Sequence, residues 1–156
     1  MIELTNISML FGPGTVNENL ALSNINLKVK EGDFITVIGS NGAGKSTLFN
    51  LIAGTITPTG GSISVNGRNV TGEPEFKRAK YIGRIFQNPL LGTASNMTLE
   101  DNMMITYRKG FKWLKRSLNQ TMREYFRKEL VQLKMGLEDR MKENLAMFSG
   151  GQRQAL

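Results

Sequence analysis

The chain is organised around the stretch Gly39-Ser-Asn-Gly-Ala-Gly-Lys-Ser-Thr47, which contains the phosphate-loop pattern G-x-x-x-x-G-K-[ST]. The run before it, residues 33–38, is short, apolar and β-branched, so it predicts a buried strand. The run after it, residues 47–53, predicts a helix, and Gly54 stands where a helix C-terminal glycine is expected. Strand, glycine loop and helix, in that order, are the context that phosphate binding requires.

The residue types of this loop suit a nucleotide triphosphate, whose phosphate tail is a compact polyanion. Glycines let the backbone curl closely and turn its N–H groups inward, and the start of the following helix adds partial positive charge. Lys45 can reach the β- and γ-phosphates as a point charge, and the Ser46 hydroxyl can ligate Mg²⁺. The candidate nucleotide-binding residues of the loop are Gly39, Ser40, Asn41, Gly42, Ala43, Gly44, Lys45, Ser46 and Thr47.

Composition limits the classes of protein to which the chain can belong. Its 156 residues are enough for one domain, and a hydrophobic content of 40% is enough for a core. Cysteine is absent, which excludes a disulfide framework and a thiolate metal site, and histidine is absent as well. No apolar run approaches about 18 residues, so no membrane span is predicted. The N-terminus also lacks the basic-then-apolar pattern of a signal peptide.

The net charge of +7 is concentrated in one part of the chain. Residues 108–128 hold eight basic residues against one acid, Glu124, so this basic stretch alone accounts for the excess. A solvated helix face is the favoured interpretation. The alternatives are contact with anionic lipid headgroups and nucleic-acid binding, for which Phe111, Trp113 and Tyr125 offer rings.

The predicted elements divide the chain into a β-rich part and a helical part. Apolar patterns predict strands at 1–10, 21–30, 33–38, 62–65 and 81–86. The Asn66-Gly67 dipeptide predicts a hairpin turn, and Thr98 can cap a helix. Helices are predicted at 47–53, 73–80, 99–107, 112–135 and 137–143. The predicted domains are 1–90 with the phosphate loop, 91–148, which is helical, and 149–156, where a further helix starts.

A second motif stands at Ser149-Gly-Gly-Gln-Arg153, where a serine able to cap a helix precedes two glycines. Together with the phosphate loop and Gln87, this motif resembles the ATP-binding cassette family, the ATPases that drive ABC transporters. The family signature is usually Leu-Ser-Gly-Gly-Gln, and Phe148 stands here in place of the leucine. The order of loop, glutamine, helical segment and signature matches the family over the whole chain.

The resemblance implies an α/β fold of the P-loop NTPase, ABC type. Its parts are an antiparallel β subdomain, a parallel-sheet core that is incomplete here, and a helical subdomain. In the family two subunits pair head to tail, and each signature closes over the γ-phosphate held by the other subunit's loop. The residues that match this signature are Ser149, Gly150, Gly151 and Gln152. A plain helix start is the alternative interpretation of these residues.

The resemblance also assigns roles outside the two motifs. Gln87 matches a glutamine that ligates magnesium or positions water, in a loop that contacts the membrane partner; a polar strand end is the alternative. Phe11 matches an aromatic that stacks on adenine, with a core phenylalanine as the alternative, and Val16 lines the same pocket. Lys45 and Gln87 are thus the expected catalytic residues, and Ser46 and Gln87 the expected metal ligands. The expected cofactors are ATP and Mg²⁺.

The implied function is that of the ATP-binding subunit of an ABC transporter, which couples ATP binding and hydrolysis to transport across a membrane. The implied partners are a second ABC subunit, transmembrane permease subunits and a substrate-binding protein, at the cytoplasmic face of the cell membrane. No nucleic-acid partner is expected. The alternatives are a soluble ABC-type ATPase of DNA repair or translation, and a non-catalytic nucleotide-binding fragment. The compact helical segment has no sustained heptads, which favours transport over the repair enzymes with their long coiled coils.

The family pattern continues beyond Leu156, the last residue of the sequence. In the family, a strand ending in Asp-Glu and a later strand ending in histidine follow the signature, so the resemblance implies an N-terminal fragment. We therefore expect the 156-residue chain to be incompletely packed and to self-associate. We also expect it to hydrolyse ATP poorly, because it lacks the glutamate that polarises the attacking water.

Overall fold

The computed structural model describes residues 1–107 and 118–156. These residues form two compact units, Met1–Arg84 and Ile85–Leu156. The first unit holds a sheet and the phosphate loop, and the second is built from helices and 3-10 turns. None of the helices described in these two ranges is long and apolar enough to cross a membrane.

The first unit is built on an antiparallel sheet of four strands in the order β2-β1-β3-β4. The strands are β1 (Ile2–Phe11), β2 (Asn19–Val29), β3 (Gly60–Val65) and β4 (Arg68–Asn69). Leu4 of the central strand β1 lies opposite Leu27 on one side and Ile63 on the other. Side chains alternate between the faces of a strand, so apolar residues at every second position collect on the buried face. The strands predicted before and after the phosphate-loop segment, at 1–10, 21–30 and 62–65, are confirmed.

Helix α1 (Lys45–Ala53) supplies the helical side of the same core. Its Leu48 and Leu51 are buried in one cluster with Leu4 of β1. The helix ends at Gly54, where φ is 84°, a left-handed conformation that favours glycine and terminates helices. The helix predicted after the glycine loop, and its stop, are confirmed.

A tight turn at Asn66 and Gly67 joins β3 to β4, and Val65 pairs with Arg68 across it. Both turn residues have positive φ, 50° and 79°. Asparagine tolerates this conformation and glycine adopts it freely, which is why the Asn-Gly pair favours such a two-residue turn. The predicted hairpin turn is confirmed, and the short helix α2 (Glu75–Arg78) follows it as expected.

Arg78 connects α2 to the end of α1. Its side chain is almost fully buried, with 1% of its surface exposed. The guanidinium donates to the carbonyl oxygens of Leu51 at 2.6 Å and Ile52 at 2.9 Å, which belong to the last turn of α1. It also donates to the carbonyls of Thr71 at 3.0 Å and Glu73 at 2.9 Å. Burial lowers the pKa of this guanidinium, and its hydrogen bonds compensate for the lost hydration.

Two strands predicted from the sequence, at 33–38 and 81–86, are not formed in the described residues, and this prediction is wrong. Both segments have irregular backbones, and the described sheet has no parallel pair. Phe34 and Ile38 are 95% and 90% exposed, and Ile85 is 86% exposed. A strand requires a neighbour that exchanges ladder hydrogen bonds, and no described strand pairs with these segments. The antiparallel and helical parts of the predicted fold are therefore present, and residues 1–107 and 118–156 form no strand of the parallel-sheet core, which was predicted to be incomplete.

We predict that the 156-residue polypeptide self-associates and binds a hydrophobic dye through residues 33–38. Exposed apolar side chains on a backbone without ladder partners invite pairing with another chain. Replacing Phe34 with serine and Ile38 with threonine is expected to lower both the dye fluorescence and the mass measured by light scattering. Phe76→Ser, at a similarly exposed apolar residue of α2, is the control and is expected to change neither. A monodisperse parent that binds no dye would contradict the prediction.

The second unit contains three described helices, α3 (Leu99–Tyr107), α4 (Gln120–Gln132) and α5 (Gly150–Gln154). Turns of 3-10 helix lie at Pro89–Leu91, Leu137–Asp139 and Leu145–Met147. Its core is a cluster of buried apolar side chains: Leu99, Met104, Phe126, Leu130, Leu137, Met141, Leu145 and Phe148. At the start of α3, the Asp101 N–H donates to the Thr98 hydroxyl oxygen at 3.2 Å, so the predicted cap is confirmed.

The helix predictions at 112–135 and 137–143 are only partly correct. The first is an α-helix over Gln120–Gln132, which begins after Asn119, whose side chain accepts from the Met122 N–H at 2.9 Å. Residues 108–117 lie outside the described part of the chain. The α-helix predicted at 137–143 is wrong, because this segment forms only the 3-10 turn Leu137–Asp139. Gly136, with φ of 67°, separates this turn from α4.

Two arginines in the described part of the basic stretch pair with acidic side chains. Arg123 contacts Glu100 through two hydrogen bonds, from Nε to Oε2 at 2.9 Å and from Nη2 to Oε1 at 3.1 Å. Arg127 forms an ion pair with Asp139. The exposed Arg127–Asp139 pair supports a charged surface face for this part of α4, whereas Glu100, the partner of Arg123, is only 7% exposed. Residues 108–117, which include Trp113, lie outside the described residues, so the prediction for them stays a prediction.

Candidate nucleotide-binding site

The phosphate loop turns sharply between an irregular segment, residues 33–38, and α1. The Ala43 N–H donates to the Ser40 carbonyl at 3.3 Å, and the Leu48 N–H donates to the Gly44 carbonyl at 2.9 Å. Gly42 and Gly44 both adopt left-handed backbone, with φ of 85° and 81°. Residues with side chains rarely adopt this conformation, so glycine allows the loop to curl into the helix.

Glycine is also required at position 44 because a side chain there would clash with β2. A Cβ atom placed on Gly44 would lie 2.6 Å from the Ala21 carbonyl oxygen and 2.9 Å from Leu22 Cδ2. Both neighbours belong to β2, so the loop is packed directly against the antiparallel sheet. At Gly39 a Cβ atom would lie 3.1 Å from the Cβ of Ala43. The glycine pattern therefore matches a loop that closes tightly on itself and on β2.

Lys45 places its ammonium group within this curl. Its Nζ donates to the carbonyl oxygens of Gly39 and Ser40, each at 2.6 Å. An ammonium has three donors, so these bonds use two of them and direct the positive charge at the loop. Lys45, the predicted phosphate ligand, thus lies at the turn that would surround a phosphate.

The N-terminus of α1 carries no competing negative group. Gly44 is its N-cap, no side chain caps it, and no acid lies in its first turn. The first N–H groups of a helix lack partners within it and carry the positive end of the helix dipole. Ser46 is exposed and Thr47 half-buried in this first turn. This arrangement favours an anion, and it matches the hydroxyl and amide donors predicted there.

Phe11 and Val16 lie at the C-terminal end of β1 and in the turn that follows it. Phe11 is the last residue of that strand, pairs with Asn19 and is 38% exposed. It is therefore not a core phenylalanine, which was the alternative interpretation. Val16 lies in the turn that follows and is fully exposed. A turn anchored by Thr15, whose hydroxyl donates to the Gly12 carbonyl at 2.8 Å, holds this segment. The adenine contact predicted for both residues stays a prediction.

The second motif forms a helix start in the second unit. Ser149 is the N-cap of α5, and the Gln152 N–H donates to its Oγ at 3.3 Å. The Gln152 side-chain oxygen accepts from the Ser149 N–H at 3.0 Å, which completes a capping box. The predicted capping serine is confirmed. The capping box joins Ser149 to Gln152 across Gly150 and Gly151, and these two glycines form the start of α5.

Gln87 lies in a bend just before the 3-10 turn Pro89–Leu91 and is exposed. It was expected at the end of a strand, and that expectation is wrong because residues 81–86 do not form one. Among the described residues, no group of three or more histidine, cysteine, aspartate or glutamate side chains could hold a metal ion. The metal ligands predicted from the motifs, Ser46 and Gln87, are not of these types, and their role stays a prediction.

Comparison with known proteins identifies the family. A family model described as ABC transporter matches residues 22–156, which include the phosphate loop, Gln87 and the second motif. The chain belongs to the ABC transporter family. The prediction made from the loop, the glutamine and the signature is confirmed.

Relatives of this ABC chain include transport proteins and solved cassettes. It is 35% identical over 160 residues to a tyrosine transport ATP-binding protein of Clostridioides difficile, covering 100% of this chain and 62% of the relative. It is 34% identical over 156 residues to a methionine import ATP-binding protein of Corynebacterium glutamicum, covering 98% of this chain and 41% of the relative. A solved dimeric ATP-binding cassette bound to ADP and Pi matches with a TM-score of 0.74 and 28% identity, covering 98% of this chain and 65% of that one. The chain spans less than two thirds of the length of each.

Two arginines that support the ABC phosphate-loop helix were not identified from the sequence. Arg78 donates to the last carbonyls of α1. Arg84 donates to the Asn50 side-chain oxygen at 2.7 Å and to the Thr55 hydroxyl at 2.9 Å. Their partners are backbone carbonyls and scattered polar side chains, which leave no periodic or spaced pattern. For Arg78 the only sequence signal is the Lys77-Arg78 pair of α2, and a solvated helix face is the ordinary interpretation of such a pair.

Proposed function

We propose that this chain is the ATP-binding subunit of an ABC transporter and couples ATP binding and hydrolysis to transport across a membrane. One observation carries the proposal. The Lys45 ammonium lies 2.6 Å from two loop carbonyls, beside a helix N-terminus with no acidic or capping side chain. A cation and free helix N–H groups at one turn suit a polyphosphate. The transport and import names of the relatives support the same assignment.

Lys45 and the backbone of the loop are the groups proposed to bind the phosphates. The glycines at 42 and 44 hold the curl, and the first N–H groups of α1 supply further donors. Lys45 neutralises negative charge on the β- and γ-phosphates and stabilises the charge that develops during phosphoryl transfer. Phe11 is accessible at the end of β1 and offers a flat face to adenine, with Val16 in the adjoining turn.

Magnesium fits the oxygen donors that the motifs supply. The Ser46 hydroxyl in the first turn of α1 and the Gln87 side-chain oxygen would hold the ion, since Mg²⁺ is a hard cation that prefers oxygen. When bound, Mg²⁺ would supply positive charge that offsets the negative charge of the phosphates. Lys45 and Gln87 are the proposed catalytic residues, Gln87 through the water that it would orient.

A second ABC subunit is the proposed dimer partner. The capping box uses the N–H groups of Ser149 and Gln152, whereas the N–H groups of Gly150 and Gly151 at this helix start suit an anion supplied by another chain. We propose that Ser149, Gly150, Gly151 and Gln152 close over the γ-phosphate bound by the partner's loop, in a head-to-tail dimer. A solved relative is described as dimeric and bound to ADP and Pi, which supports this arrangement.

The remaining proposed partners are transmembrane permease subunits and a substrate-binding protein, which place the chain at the cytoplasmic face of the membrane. The relatives are named for different substrates, tyrosine in one and methionine in another. Similar nucleotide-binding chains thus serve different substrates, which supports selection of the substrate by other subunits.

The experiment that tests this function measures ATP binding to the parent and to Ser46→Ala, with Mg²⁺ and with EDTA. Removing the hydroxyl is expected to weaken ATP binding about tenfold with Mg²⁺ and to leave it unchanged with EDTA, because only the metal contact is lost. Ser64→Ala on β3 is the matched control and is expected to behave as the parent in both buffers. A parent that binds no ATP would overturn the proposed function. An equal loss of ATP affinity in both buffers would show that Ser46 does not ligate Mg²⁺.

A further inference from the structure

Phe148 is the last buried residue before the signature. It is 2% exposed and lies in the helical core with Leu145 and Met141. Helix α5, which carries the signature, buries no residue of its own. Phe148, the neighbour of Ser149, is therefore one of the anchors that tie the signature to the helical core.

An arginine covers the ring of Phe148. The guanidinium carbon of Arg140 lies 4.3 Å from the ring centroid, within the range of a cation–π contact. Arg140 donates from Nε and Nη2 to a single Glu143 carboxylate oxygen, at 2.9 and 2.7 Å. This bond raises the pKa of Arg140 and lowers the pKa of Glu143, so both remain charged near neutral pH. The carboxylate fixes the guanidinium where the ring can attract it.

The backbone between Arg140 and Phe148 is also anchored. The Glu143 N–H donates to the Arg140 carbonyl at 2.9 Å, and the Phe148 N–H donates to the Leu145 carbonyl at 3.1 Å. The Leu145 N–H donates in turn to the Met97 carbonyl at 3.0 Å. The segment is thus held along its length, and the covered ring is its final side-chain contact before the signature.

We propose that Arg140 is a positioning residue for the signature and acts through the Phe148 ring. A leucine in place of Phe148 would offer no π face, so the arginine and the phenylalanine form a matched pair in this chain. The pair holds the start of α5 in the orientation in which the Ser149 capping box meets a triphosphate bound by a second copy of the chain. This last step rests on the proposed function, whereas the anchoring of α5 does not.

Amide hydrogen exchange of the nucleotide-free protein tests the anchoring. Arg140→Gln is expected to speed exchange three- to tenfold, roughly the value of a cation–π contact, at the Gln152 and Arg153 amides, which donate to Ser149. Phe148→Leu is expected to speed exchange at these amides by a similar factor. Adding Arg140→Gln to Phe148→Leu is expected to speed it little further. Arg140→Lys keeps the cation and is expected to restore part of the protection. Unchanged exchange in Arg140→Gln, or an equal further increase in the Phe148→Leu background, would overturn the proposal.

A matched control and a second measurement complete the test. Arg127→Gln also removes a guanidinium that is paired with a carboxylate in this unit, and is expected to leave exchange at residues 149–154 unchanged. In sedimentation experiments in the Phe34→Ser, Ile38→Thr background, which limits self-association without nucleotide, Arg140→Gln is expected to raise the protein concentration needed for ATP-driven dimerisation three- to tenfold, with the ATP affinity of the monomer unchanged. Unaltered dimerisation by Arg140→Gln would overturn the role in closure. A parent that does not dimerise with ATP would instead contradict the proposed function, and the exchange result would still decide the anchoring.

Discussion

Replacing Arg78 with methionine is expected to lower the free energy of unfolding by about 3–5 kcal/mol. The guanidinium is buried and donates to carbonyl oxygens at the end of α1, at Leu51 and Ile52, and in the loop before α2, at Thr71 and Glu73. Methionine fills similar volume but donates no hydrogen bond, so these acceptors lose their partner away from water. Urea unfolding followed by circular dichroism measures the loss.

Two variants distinguish the contribution of the hydrogen bonds to stability from that of the positive charge. Lys77→Met removes a positive charge from an exposed position of the same helix, and is expected to change stability by less than about 0.5 kcal/mol. Arg78→Lys keeps the charge but lacks the planar fork that reaches several carbonyls, so it is expected to lose most of the stability. A loss below about 1 kcal/mol in Arg78→Met would show that water or other donors replace the guanidinium.

Replacing Lys45 with alanine is expected to weaken ATP binding by about 1.5–3 kcal/mol, or roughly 10- to 150-fold. The Lys45 ammonium is held at the loop by the Gly39 and Ser40 carbonyls, where a charge-assisted contact with phosphate is strongest. Alanine is a good helix former, so the first position of α1 should remain helical. Equilibrium titration with a fluorescent ATP analogue measures the affinity, and thermal melting confirms that the fold is kept.

Lys28→Ala is the matched control for this change. Lys28 is an exposed lysine of β2 that pairs with Glu3, so its removal takes away the same charge from the same unit. It is expected to leave ATP affinity within about twofold of the parent, since surface charges are screened by salt. A loss in Lys28→Ala equal to that in Lys45→Ala would mean that net charge, rather than the loop contact, determines binding.

The features that local sequence signals specify were predicted correctly. Alternating apolar residues specify β1 and β2, because one face of each strand is buried. Asn66-Gly67 specifies a turn with positive φ, and Gly54 specifies the end of α1. Ser149 specifies a helix start, since its hydroxyl can accept a backbone N–H. Each of these depends on residues a few positions apart.

The features that depend on distant partners were not predicted. Residues 33–38 have the composition of a strand, yet composition alone supplies no neighbour to complete a ladder, and Phe34 is exposed. Arg78 has backbone partners up to 27 positions away, so nothing beside it in the sequence indicates burial. Arg140 reaches Phe148 through a turn that was predicted as a helix, so its contact with the ring was missed.

The central claim is that the loop at residues 39–47 binds the phosphates of ATP, and calorimetric titration with ATP and with adenosine tests it most directly. ATP is expected to bind far more tightly than adenosine to the parent chain. Lys45→Ala is expected to lower the affinity for ATP and to leave the affinity for adenosine unchanged. Equal affinities of the parent for ATP and adenosine, or an unchanged ATP affinity in Lys45→Ala, would contradict the claim that this loop is the phosphate site.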